Sequence, residues 1–180
     1  MKNILIIPIL LLLQIELFGA SHTVKMLNQG AGGVMIFEPA VLKINVGDSV
    51  TFESTDAAHN SASLPGMIPS NAVPWNGQLS RDITVTFTES GVYAYQCTPH
   101  SMMAMVGVIQ VGNDNNNLDN IKAKAKTIQS SFVMNKNRLD EYLDGEVDKK
   151  LYAQALLEAE GDKIEAEHIY YDLFMQSDDG

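Results

Sequence analysis

Gly91-Val92-Tyr93-Ala94-Tyr95-Gln96-Cys97-Thr98-Pro99-His100-Ser101-Met102-Met103-Ala104-Met105-Val106-Gly107-Val108-Ile109-Gln110-Val111 reads as two apolar strands joined by a short loop, and the loop carries the side chains that decide the chain. Cys97, His100 and Met105 place a thiol, an imidazole and a thioether on one turn, and His59 lies thirty-eight positions before Cys97, at the end of a distant strand. One thiolate, two imidazoles and a weak thioether are the donor set of a copper ion that cycles between Cu(I) and Cu(II). Soft sulfur favours the reduced ion, imidazole suits both, and the weak fourth donor lets neither state relax fully. Four protein donors leave no open coordination position, which points to electron transfer, since catalytic metals keep a position free. Met103, three residues after His100, is the rival to Met105 for the axial position.

The strands extend outward from this loop. Runs near Thr23–Asn28, Val34–Glu38, Val41–Val46, Ser49–Glu53 and Ile83–Phe87 precede the two already quoted. Val50-Thr51-Phe52 and Ile83-Thr84-Val85-Thr86-Phe87 alternate apolar and polar as half-buried strands do. Gly47-Asp48 and Ser90-Gly91 supply turn chemistry between runs. Short strands at this spacing predict a mainly β fold, an antiparallel Greek-key sandwich over residues 22–112. The stretch from Asn60 to Arg81, with Pro65, Pro69 and Pro74, is expected to be irregular or briefly helical.

Residues 1–21 read as an export signal: Lys2 gives a positive start, Ile4 to Leu13 an apolar run, and Gly19-Ala20-Ser21 small residues for cleavage after Ser21. Ile4 to Phe18 is short for a span of about 20 residues, so the mature chain is expected to have no membrane span. His22 then falls at the mature terminus, where a solvated, unordered side chain is expected. The chain has one cysteine in its 180 residues, so no internal disulfide forms and the odd thiol reads as a metal ligand.

Gly112-Asn113-Asp114-Asn115-Asn116-Asn117 is a polar connector, after which the composition turns to Ala, Lys, Glu and Leu. Residues 113–180 are therefore expected to form an α-helical C-terminal extension, with helices over Leu118–Met134, Leu139–Leu143, Val147–Glu160 and Lys163–Met175. Residues 22–112 hold three basic and six acidic groups, net −3; residues 113–180 hold eight and fifteen, net −7. A surface this acidic excludes nucleic acid, which needs clustered Lys and Arg to neutralise phosphate. No ligand or nucleophile cluster lies beyond Gly112, so the extension is expected to pack or to mediate protein contacts and to leave the copper chemistry alone.

Met35-Ile36-Phe37-Glu38-Pro39, Gly47-Asp48-Ser49-Val50-Thr51-Phe52, His59-Asn60, Gly91-Val92-Tyr93, Cys97-Thr98-Pro99-His100 and the closing run Val106 to Gly112 closely resemble pseudoazurins, small periplasmic blue-copper proteins of the cupredoxin class. The resemblance covers about residues 22–112. It implies a sandwich with one type 1 copper at one end, held by His59, Cys97, His100 and Met105, the family's spacing favouring Met105 over Met103. It implies periplasmic one-electron transfer to or from a redox protein, often a copper nitrite reductase, and Met35 packed near the His100 ring. Asn60, beside His59, is placed to tie the two ligand loops together by hydrogen bonding. Met102 and Met103 suit a soft apolar patch around His100. Pseudoazurins dock through a ring of lysines, whereas this sandwich has only Lys25, Lys43 and Arg81, so the redox role carries over better than the partner. A copper-handling protein is the alternative class. An enzyme is not expected, because four histidines in the whole chain cannot build a second copper cluster.

Overall fold

The computed structural model describes residues 19–30 and 32–145, and its strands form two four-stranded sheets. The strands are β1 Ser21–Gly30, β2 Gly33–Glu38, β3 Val41–Ile44, β4 Ser49–Glu53, β5 Ala62–Ser63, β6 Ile83–Thr86, β7 Gly91–Gln96 and β8 Val106–Val111. The first sheet runs β2-β1-β4-β6 and the second β3-β8-β7-β5. β7 and β8 pair antiparallel with Tyr95 opposite Gly107, which makes the Cys97–Met105 loop the connecting end of a hairpin. Each sheet also holds one parallel pair, β1 with β4 and β3 with β8, so the Greek-key sandwich is mixed in strand direction. These pairs arise where the chain crosses from one sheet to the other, a connection that local strand patterns do not encode.

The first sheet behaves as its alternation demands. Val50 and Phe52 of β4 are buried while Ser49, Thr51 and Glu53 face outward. The outward hydroxyls pair across to β6, Ser49 with Thr86 and Thr51 with Thr84, each at 2.8 Å. The second sheet is buried on both faces, which is why β7 and β8 read as nearly continuous apolar runs. Tyr93, Tyr95 and Ile109 point between the sheets and join Phe37, Phe52 and Trp75. Val92, Ala94, Val106 and Val108 point the other way, against Ile121, Ala125, Phe132, Leu139 and Leu143. Burying each large apolar side chain contributes about 1.5–3 kcal/mol before entropy is counted.

The residues covering that outer face belong to two helices, α1 Leu118–Gln129 and α2 Arg138–Leu143, and to the connector between them, which supplies Phe132. α1 ends five residues before the predicted Met134. Ser130 and Ser131 turn their hydroxyls back onto the carbonyls of Thr127 (2.6 Å) and Ile128 (2.7 Å), and the chain bends so that Phe132 is buried. The helices predicted at Val147–Glu160 and Lys163–Met175 lie outside the described residues. No described helix is long and apolar enough to cross a membrane.

The Asn60–Arg81 stretch contributes one strand the sequence pattern missed, β5, only two residues long and paired to β7. Trp75 plugs the sandwich from this loop, stacked on Phe52 with centroids 5.8 Å apart and donating its indole N–H to Ser61 Oγ at 2.9 Å. His22 is ordered within β1, its Nε2 3.0 Å from Asp48 Oδ2.

Candidate metal centre

His59 arrives on a turn in which Ala58 takes a left-handed φ of 68°. The turn is braced from outside: Ala58 N–H donates to Ser80 Oγ at 2.8 Å, and Ser80 N–H to the His59 carbonyl at 2.8 Å. The imidazole is buried, and its Nε2 lies 3.1 Å from Asn28 Oδ1. A carbonyl oxygen accepts only, so Nε2 carries the proton and the Nδ1 lone pair faces inward. There it lies 3.6 Å from Cys97 Sγ and 3.1 Å from His100 Nδ1, and the third edge, Cys97 Sγ to His100 Nδ1, is 3.4 Å.

Three donors from two loops thus close a triangle with all ligand atoms within 4.8 Å of one another. A first-row ion bonded at about 2.0–2.3 Å to nitrogen and sulfur requires donor edges of about 3.5 Å. The residues present therefore fit a metal ion. Burial, assisted by the neighbouring His100, holds the His59 pKa below its usual value and favours the neutral ligand form. Burial also pushes the Cys97 thiol up, against the opposing backbone N–H groups of Asn60 and His100. A thiol buried in this way becomes a thiolate readily only when a cation replaces its proton.

The loop is fastened to itself and to the His59 turn. Cys97 N–H donates to the Met105 carbonyl at 2.9 Å, and Met105 N–H to the His100 carbonyl at 3.3 Å, so Met105 is held under both loop ligands. Met105 is fully buried in the same cluster as Cys97, whereas Met103 is half-buried and Met102 is 57% exposed. A single turn of 3₁₀ helix, Ser101–Met103, separates His100 from Ala104. Asn60 does the fastening expected of it: its Oδ1 accepts from Thr98 N–H at 2.8 Å, and its Nδ2 lies 3.2 Å from Thr98 Oγ1 and 3.1 Å from the Gly77 carbonyl. Sequence reasoning missed Asn28, which sits thirty-one positions from His59 and is brought to it only by β1.

Residues 24–112 match the family of copper binding proteins that includes plastocyanin and azurin. A pseudoazurin of Paracoccus pantotrophus is 41% identical over 105 residues, 58% of this chain and 72% of that one. The chain belongs to the pseudoazurin family. A Methylorubrum extorquens pseudoazurin is 40% identical over 117 residues, covering 65% of this chain and 76% of its own. The crystal structure of native pseudoazurin from Hyphomicrobium denitrificans superposes with a TM-score of 0.62 at 34% identity, over 69% of this chain and 97% of that one. The cofactor is accordingly one copper ion, whose Cu(I)/Cu(II) couple supplies one-electron chemistry, and the protein is a blue-copper electron carrier. The chain's contribution is the donor set itself, with His59, Cys97 and Met105 buried and His100 half-buried.

Proposed function

We propose that the protein carries single electrons in the periplasm on a copper ion held by His59, Cys97, His100 and Met105. The observation that carries this reading is the convergence of Cys97 Sγ and the two Nδ1 atoms, with Met105 hydrogen-bonded to both loop ligands through its backbone. The complete burial of Met105 beside Cys97 favours it over Met103 as the axial donor. Residues 1–21, with their charged start and apolar run, support export. The copper-carrying unit is residues 22–112, and residues 113–180 are an extension whose first two helices cover the second sheet. The protein is no enzyme on this reading, since four protein donors leave substrate no place on the metal.

The partner is a redox protein such as a copper nitrite reductase or another periplasmic oxidoreductase. Met102 and Val133, the latter 63% exposed, lie side by side, with Val133 N–H donating to the Met102 carbonyl at 2.8 Å, and this exposed apolar pair supports a docking face there. An apolar contact of this kind suits brief encounters. A copper-handling role would draw on the same donors, but a set with three of its four members buried suits an ion that stays.

Substitution separates these readings. Cys97→Ser is expected to abolish the intense visible colour of the oxidised copper form, because a hydroxyl cannot replace the thiolate donor. Met105→Gln is expected to keep copper and lower the reduction potential, since an oxygen ligand stabilises Cu(II) more. Full colour in the Cys97 variant, or an unchanged potential in the Met105 variant, refutes the ligand assignment. A wild-type protein that binds only Cu(I) and stays colourless points to copper handling.

A further inference from the structure

Arg138 lies thirty-three positions beyond Met105, opens α2 and is buried. Its Nη1 donates to two backbone carbonyls that flank the metal centre, Ala104 at 3.0 Å and Met35 at 3.3 Å. Both acceptors belong to non-glycine residues with left-handed backbone, φ 57° at Ala104 and 49° at Met35. Side chains rarely tolerate that conformation, and it persists where surrounding groups over-determine it. Ala104 directly precedes Met105, so its dihedral angles set the direction in which the Met105 side chain leaves the backbone. Met35 packs against the cluster that holds Cys97 and Met105.

The backbone turn that carries Arg138 is itself fixed from behind. Gln129, the last residue of α1, is buried, and its Oε1 accepts from the N–H groups of Leu139 (3.0 Å) and Asp140 (3.1 Å). A side chain of one helix thus satisfies the free N–H groups opening the next, a capping role usually played by a local Ser, Thr, Asp or Asn. Leu139, the next residue, is fully buried in the outer cluster that also contains Ala104. A planar fork with several donors is the side chain suited to bind two carbonyls at once.

We infer that Arg138 is a positioning residue of the copper site: it locks the left-handed backbone at Ala104 and Met35 and thereby sets the approach of Met105 to the metal. The helices beyond Gly112 consequently reach the copper chemistry, contrary to the expectation drawn from their sequence. The inference rests on Met105 being the axial ligand.

The test uses the full chain and two variants, Arg138→Met, which removes every donor, and Arg138→Lys, which keeps one ammonium but not the fork. In the copper-free protein, amide hydrogen exchange at Met105 should quicken by about tenfold in Arg138→Met, as one lost bracing contact would allow, and by less in Arg138→Lys. Amides of β1 and β4, remote from α2, should keep their wild-type rates. In the copper-loaded protein, the thiolate-to-copper absorption bands and the reduction potential should both move from wild type, more in the Met variant than in the Lys variant. If Arg138→Met does not fold, the same measurements on Arg138→Lys decide. A folded variant with wild-type Met105 exchange, band positions and potential overturns the inference. So does uniform acceleration of all protected amides, which marks a merely structural role. Met105→Gln serves as the control: if it shifts the potential while the Arg138 variants do not, this inference alone fails, and if it too is silent, the ligand assignment has failed first.

Discussion

Asp48 shows how much a single carboxylate can organise. Its Oδ1 accepts from Ala20 N–H at 2.8 Å, and its Oδ2 meets Asn45 N–H at 2.9 Å and His22 Nε2 at 3.0 Å, which pins the start of β1 to the turn before β4. Burial raises its pKa, but the hydrogen bonds from Asn45, His22 and Ala20 outweigh burial and leave it below the ordinary value. The sign follows directly. A carboxyl whose folded pKa is depressed stabilises the fold at any pH above its unfolded value of about 3.9, and the contribution fades as pH falls through the lower folded value. Asp48→Asn should therefore destabilise the protein at pH 7 by about 1–3 kcal/mol, because an amide nitrogen then faces a donor. Urea unfolding of both proteins at pH 7 and pH 3 measures this: the gap should narrow in acid, and an equal gap at both pH values contradicts the role. His22, expected to hang free at the terminus, is one of the three donors. Nothing in its neighbours' sequence announced a partner twenty-six positions away.

At the scale of elements, strands with a clear alternation or with bracketing residues at both ends were the most legible. β4 matches its predicted bounds because Val50 and Phe52 alternate with polar residues, and β7 matches because Gly91 and Cys97 bracket an unbroken apolar run. β5 was not legible: two residues cannot show a period, and Ala62-Ser63 becomes a strand only because β7 offers free edge groups. The candidate ligands of the loop stood out in the sequence because one short turn carries Cys97, His100 and Met105, whereas Asn28, Gln129 and Arg138 act through contacts 31, 10 and 34 to 103 positions apart. Tertiary packing, which no local window contains, put them there. The β7–β8 pair offers a test of its own. A Cβ at Gly107 would stand 2.3 Å from Tyr95 Cζ, so the glycine exists to admit the ring that faces Phe37 at 4.7 Å and Phe52 at 5.0 Å. Gly107→Ala should cost about 1–3 kcal/mol or more through overpacking and lower the thermal midpoint, and Tyr95→Phe should not relieve it, because the ring carbon remains. A Gly107→Ala protein with wild-type stability would show that the ring can move aside.

For the whole molecule, charge and shape point different ways. The sequence carries 12 basic and 22 acidic side chains, net −10, and the sandwich contributes only Lys25, Lys43 and Arg81 to the basic side. A partner that recruits lysine-rich carriers through an acidic patch gains no attraction here. Electron exchange with such a partner should be slow at low ionic strength and should not fall steeply as salt rises past 0.1 M, where the screening length is about 10 Å. Stopped-flow rates across a salt series decide it, and a fast reaction strongly suppressed by salt refutes the expectation. The two methionine environments at the copper end carry a different consequence, one of ageing. Thioether sulfur is converted to a polar sulfoxide wherever an oxidant reaches it. Met105 is sealed in the core, while Met102, three residues earlier in the chain, stands more than half open. Peroxide should therefore reach Met102 before Met105, so if the proposed docking face is used, an old molecule should lose its grip on a partner before it loses its ability to hold an electron.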